Sequence, residues 1–93
     1  SYDLVKVSKQ DILFIQADAD YTEVVTAKKK YLTSDPLREW KQKLSDGFSQ
    51  VHKSYIINRG HLVKVSQNKA HLSDGTIVPI GRAYKKGFME KVQ

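Results

Sequence analysis

Cysteine is absent from the 93 residues. That excludes disulfides, zinc knuckles, thiol nucleophiles and redox pairs, and it suits a reducing compartment. Long apolar runs are absent as well. Nothing approaches the ~20 residues of a membrane span, and no charged-then-apolar leader opens the chain, so the expectation is a soluble, cytoplasmic domain. Two further motifs do not occur: a glycine-rich phosphate cradle and the Gly-x-Ser-x-Gly turn of serine hydrolases. His52 and Ser54 share a strand face, with Asp46 near in sequence, but no oxyanion loop supports a hydrolase dyad. His52, His61 and His71 lack the i, i+4 or His-x-His spacing of metal ligands. The expectation is therefore a non-enzyme that uses neither metal nor cofactor.

Acidic residues are scarce in one half only. The chain carries 16 Lys plus Arg against 10 Asp plus Glu, a net charge of +6. Residues 1–46 hold eight bases and eight acids, whereas residues 47–93 hold eight bases and two acids. The whole excess therefore lies in the second half. Such a one-sided field attracts a polyanion, because every neutralised phosphate releases condensed counterions.

The length fits one small domain over residues 1–93, burying only roughly 60–65% of the surface of its unfolded chain. Leu4–Val7 reads as a short strand and Ser8–Asp11 as a polar turn. Ile12–Ala17 is apolar on both alternating faces, which predicts a strand at the centre of the core. Thr22–Thr26 and a segment around Tyr31–Thr33 read as its amphipathic successors. Asp35 and Pro36 mark a helix start, with Asp35 as cap and Pro36 in the first turn. Leu37, Trp40 and Leu44 share one face, and Gly47 is the expected left-handed stop. Phe48–Val51, Leu62–Val65, Ala70–Leu72 and Thr76–Ile80 read as strands, the last two joined at Asp74-Gly75. Pro79 cannot donate to a ladder, which sends its strand to an edge. Tyr84, Phe88 and Val92 make the tail from Arg82 an amphipathic helix. The pattern is a mainly antiparallel β fold with two small helices.

Basic and amide side chains recur at predicted loops and element ends: Lys53, Asn58, Arg59, Arg82, Lys85 and Lys86. Arg donates in parallel to guanine, Lys reaches bases or phosphates, and Asn pairs with adenine. Duplex DNA is the partner these groups suit best. Two other readings compete. One is a β-rich module docking an acidic protein. The other is RNA binding, which usually displays aromatics on an open sheet, whereas here only Tyr21 stands outside the core pattern.

Three segments resemble the LytTR DNA-binding domain family, the output module of bacterial response regulators and related transcription factors. They are Asp11–Ala17 with Asp20-Tyr21-Thr22, Phe48–Asn58, and Asp74–Lys85. The resemblance implies an elongated fold of about ten short strands with small helices. It implies sequence-specific binding of promoter DNA by loops set into successive major grooves, commonly at paired direct repeats. Carried onto this chain, it makes Lys53, Arg82 and Thr22 the base-reading candidates. Tyr21, His52, Ser54, Asn58, Arg59, Lys85 and Lys86 become backbone or supporting contacts, with His52 and Ser54 holding the segment's shape. Lys53 replaces an Asn or Arg seen in relatives, and Gly81 stands where many have Ser. The resemblance also implies an excised C-terminal output domain following a receiver domain, monomeric alone and dimeric on DNA.

Overall fold

The computed structural model describes residues 6–44 and 46–93. Five strands form the first sheet: β1 (Ile12–Asp18), β2 (Tyr21–Thr26), β3 (Lys30–Thr33), β4 (Phe48–His52) and β5 (Tyr55–Asn58). Their order is β3-β2-β1-β5-β4, with every pairing antiparallel. The doubly apolar run lies in the middle strand, as its pattern predicts. Successive side chains of a strand point to opposite faces, so Phe14 and Ile15 serve different cores. Ile15 opposes Val24 and Ile56 and packs with Leu37 of helix α1 (Leu37–Lys43). Phe14 opposes Val25 and Ile57 and meets a second layer.

That layer is a three-stranded antiparallel sheet, β6 (Leu62–Ser66), β7 (Lys69–Leu72) and β8 (Ile77–Pro79), together with helix α2 (Arg82–Val92). Ala70, Leu72, Val78 and Phe88 are its buried contributions. Each of the larger ones, Leu72, Val78 and Phe88, contributes about 1.5–3 kcal/mol of transfer free energy. Pro79 sits on an edge strand, as expected, since β8 ends the sheet. The domain is elongated, 44 × 23 × 21 Å, and has eight strands among the described residues.

Several local expectations fail for identifiable reasons. Leu4 and Val5 lie outside the described residues, and Lys6 and Val7 form no strand. The α1 cap is Pro36 rather than Asp35, and no side chain caps the helix. Asp35 is engaged elsewhere. Its carboxylate meets Lys43 Nζ at 3.0 Å, and its carbonyl accepts from the Thr22 hydroxyl at 2.8 Å. The helix ends on extended Leu44, so Gly47 is not needed as a left-handed stop. Gly75, at φ +92°, is the glycine that uses that region. The apolar pattern also passes over β5 as a separate strand, and over the two-residue turn Gln67-Asn68, whose φ values are +53° and +61°.

Candidate nucleic-acid interface

The Phe48–Asn58 segment folds as a β4–β5 hairpin with Lys53 and Ser54 at its tip. Its shape is fixed from within. His52 Nδ1 accepts from the Ser54 amide at 3.1 Å, and the His52 ring stands edge-on to Tyr55, 5.5 Å between centroids. Gln50 Nε2 donates to the His52 carbonyl at 3.2 Å. The Ser54 carbonyl accepts from Ala17 N at 2.8 Å, tying the tip to the end of β1. Lys53 is exposed on this braced turn. His52 and Ser54 thus brace the hairpin tip.

The start of α2 is fastened to the same hairpin. Gly81 N donates to Val51 O at 2.7 Å, and a Cβ at position 81 would lie 3.6 Å from His52 Cα and 3.3 Å from Tyr84 Cδ2. A small residue lets the two segments approach closely. Arg82, exposed, opens the helix directly after this junction. Lys53 and Arg82, far apart in sequence, thus each directly follow one of two residues, His52 and Gly81, whose backbones approach closely. The unpaired amides and dipole of a helix start add further preference for anions. Lys85 and Lys86 are exposed on the first turns, and Lys85 Nζ donates to Asn68 Oδ1.

Three candidates are placed otherwise. Thr22 is 2% exposed and its hydroxyl is committed to Asp35, so its side chain is not presented to a base edge. Asn58 is 7% exposed. Its Nδ2 donates to Ile12 O at 2.9 Å and Lys9 O at 3.4 Å, while Oδ1 accepts from Gly60 N at 2.9 Å. This amide fastens the turn before β1 to the end of β5. The Arg59 guanidinium is similarly committed, donating to Phe48 O at 3.0 Å, to Ser49 Oγ and to Asp46 O. It braces the entry to β4. Local sequence does not reveal these commitments, because the partners lie in other strands and loops.

Tyr21 is 40% exposed and follows the tight β1–β2 turn, where Ala19 adopts φ +30°. The turn's exposed Asp18 and Asp20 make this loop acidic beside the cationic hairpin. The sequence reading missed Asn68, which accepts from Ile80 N at 3.0 Å through its carbonyl as well as from Lys85. Its signal was present: Asn tolerates the left-handed backbone that a two-residue hairpin turn demands.

Comparison with known proteins agrees with this architecture. The LytTr DNA-binding domain family matches residues 2–93. Transcriptional regulatory protein LytR of Staphylococcus aureus strain MW2 is 30% identical over 92 residues, covering 92% of this chain and 37% of LytR. Sensory transduction protein LytT of Enterococcus faecalis is 26% identical over 92 residues, covering 92% and 38%. The chain thus spans little more than a third of these relatives. Among solved structures, a LytTr DNA-binding domain from Bacillus cereus superposes with a TM-score of 0.87 at 20% identity, covering 95% of this chain and 86% of that one, which establishes the shared fold. With sequence match, fold and relatives in accord, this chain belongs to the LytTR family of DNA-binding domains, the family found in LytR-type transcriptional regulators.

Proposed function

We propose that this domain binds promoter DNA sequence-specifically, with Lys53 and Arg82 entering the major groove as base readers. The observation that carries the reading is the Gly81–Val51 hydrogen bond, which seats the start of α2 against the braced β4–β5 hairpin. Two long cationic donors at one rigid site suit base edges, which require donors held in register. Arg82 offers the bidentate fork that guanine O6 and N7 accept, while Lys53 offers a flexible point donor. Lys86 and Lys85 neutralise phosphates, Tyr21 flanks the interface, and His52 and Ser54 hold the hairpin. Thr22, Asn58 and Arg59 serve the fold.

In a longer regulator, the domain acts as the output module, with a receiver domain promoting dimerisation and pairing two modules on direct repeats. Pairing raises the effective concentration of the second module once the first is bound. The domain alone binds as a monomer and weakly.

Selection from random duplex DNA, followed by titration of the enriched and scrambled sites at two salt concentrations, tests this. An enriched motif bound at least about tenfold more tightly than its scramble, a difference of about 1.4 kcal/mol, is the expected result. No enrichment, with all binding lost at moderate salt, would favour an acidic protein as the partner.

A further inference from the structure

The β6–β7 hairpin carries a cationic face unused by the base-reading assignment. Val65, Ala70 and Val78 oppose one another across the second sheet. Ala70 and Val78 are fully buried, and Val65 packs against the same core. Alternation therefore turns the neighbouring rows outward: Lys64–His71–Ile77, and Ser66–Lys69–Pro79. Lys64 and Lys69 are both exposed, and neither pairs with a carboxylate among the described residues. Strands β6, β7 and β8 contain no acid. Asp74, in the turn beyond β7, is occupied by the Thr76 amide at 3.0 Å and hydroxyl at 2.8 Å.

The tip of this hairpin is latched to the start of α2. Ile80 N and Lys85 Nζ both donate to Asn68, on its backbone and side-chain oxygens respectively. On the outward face Lys69 at the tip and Lys64 behind it thus form a short cationic track, which begins beside Asn68, the residue that Lys85 meets. Paired antiparallel strands hold such a track rigidly, so its charge meets a linear array of anions without a large ordering cost. A duplex backbone is such an array, at one charge per ~1.7 Å of axis.

We propose that the β6–β7 hairpin is a phosphate-binding wing of the interface, in which Lys69 and Lys64 take backbone phosphates flanking the bases faced by Arg82. This rests on the DNA-reading assignment above. It adds a contacting element outside the three segments that carry the family resemblance. Asn68 is the positioning residue, because its two oxygens join the wing to α2. The wing contributes affinity and register and no base preference.

The test is a Lys64→Gln/Lys69→Gln variant, both positions being exposed, beside Arg82→Ala and the unaltered domain. Each is titrated on the enriched site and its scramble across a salt series. For the double variant, the expected result is similar weakening on both DNAs, with the slope of log K against log salt reduced by up to about two units, at about 0.9 per phosphate lost. The protected region in a hydroxyl-radical footprint shortens on one side. An unchanged slope and footprint would overturn the wing, as would a loss confined to the enriched site. Arg82→Ala separates the two ideas. If it leaves specificity intact while the double variant flattens the slope, base reading by Arg82 fails and the wing stands. If it abolishes specificity while the double variant changes nothing, the wing fails and the reader stands.

Discussion

Asn58-Arg59 and Arg82-Lys85 look alike as sequence, each an exposed-seeming set of donors at an element end, yet the fold uses them oppositely. The Asn58 amide meets two carbonyls and one amide of its own chain, and the Arg59 guanidinium meets three internal oxygens. Arg82 stands exposed at a helix start, and Lys85 bonds another surface side chain, that of Asn68. The difference lies in partners supplied by distant segments. A donor already satisfied inside the fold gains nothing by leaving its acceptor for a phosphate and leaves that acceptor unpaired, whereas an exposed donor exchanges only water. Hydrogen-bond accounting thus separates donors that hold the fold from donors that face solvent.

The sharpest way to break this contrast is to remove Asn58. Asn58→Ala removes the side-chain partner of the buried Ile12 carbonyl and of the Gly60 amide and should cost about 3 kcal/mol of stability by urea unfolding. DNA affinity of the remaining folded protein should be unaltered. Stability unchanged with affinity lost would move Asn58 back to the interface.

Arg82→Ala is its mirror image. It should cost about 1–3 kcal/mol on the enriched site and shift stability by less than about 0.5 kcal/mol. Equal losses on the scrambled site would make Arg82 a phosphate contact.

A smaller effect concerns Thr22. Thr22→Val keeps the shape and removes the bond to Asp35 O, so unfolding free energy should fall by about 1 kcal/mol with specific binding preserved. A tenfold loss of specific affinity at intact stability would restore Thr22 as a reader.

The smallest effect is at the junction itself. Gly81→Ser supplies a capping hydroxyl to α2, worth a few tenths of a kcal/mol over glycine. It also places a Cβ 3.3 Å from the Tyr84 ring. Net stability should move by less than about 0.5 kcal/mol, and the preferred bases around the Arg82 contact are the more informative readout in a repeated selection.

Much of the fold was legible in the chain. Ile12–Asp18 carries apolar residues at successive positions, and only a middle strand between two packed layers buries both faces of such a run. Asp74-Gly75 marked a hairpin because glycine takes φ +92° without steric cost, and Pro79 marked an edge. The α1 boundaries were less legible. Asp35 pairs with Lys43 instead of the helix amides, and Leu44 leaves the helix in an extended conformation before the expected glycine stop. β5 was missed because Tyr55–Asn58 follows β4 after a turn with neither Gly nor Pro. Its bend is stabilised instead by the imidazole of His52, which accepts the Ser54 amide.

The sequence by itself determined the alternation that builds two sheets, the amphipathic tail and the confinement of excess positive charge to residues 47–93. Those properties follow from local periodicity and residue type. Tertiary structure alone decided that Thr22, Asn58 and Arg59 face inward, that Gly81 docks on Val51, and that Asn68 ties the second hairpin to α2. Each of these depends on a hydrogen-bond partner brought close by strand pairing or layer packing, and local pattern does not specify which distant carbonyl will be there.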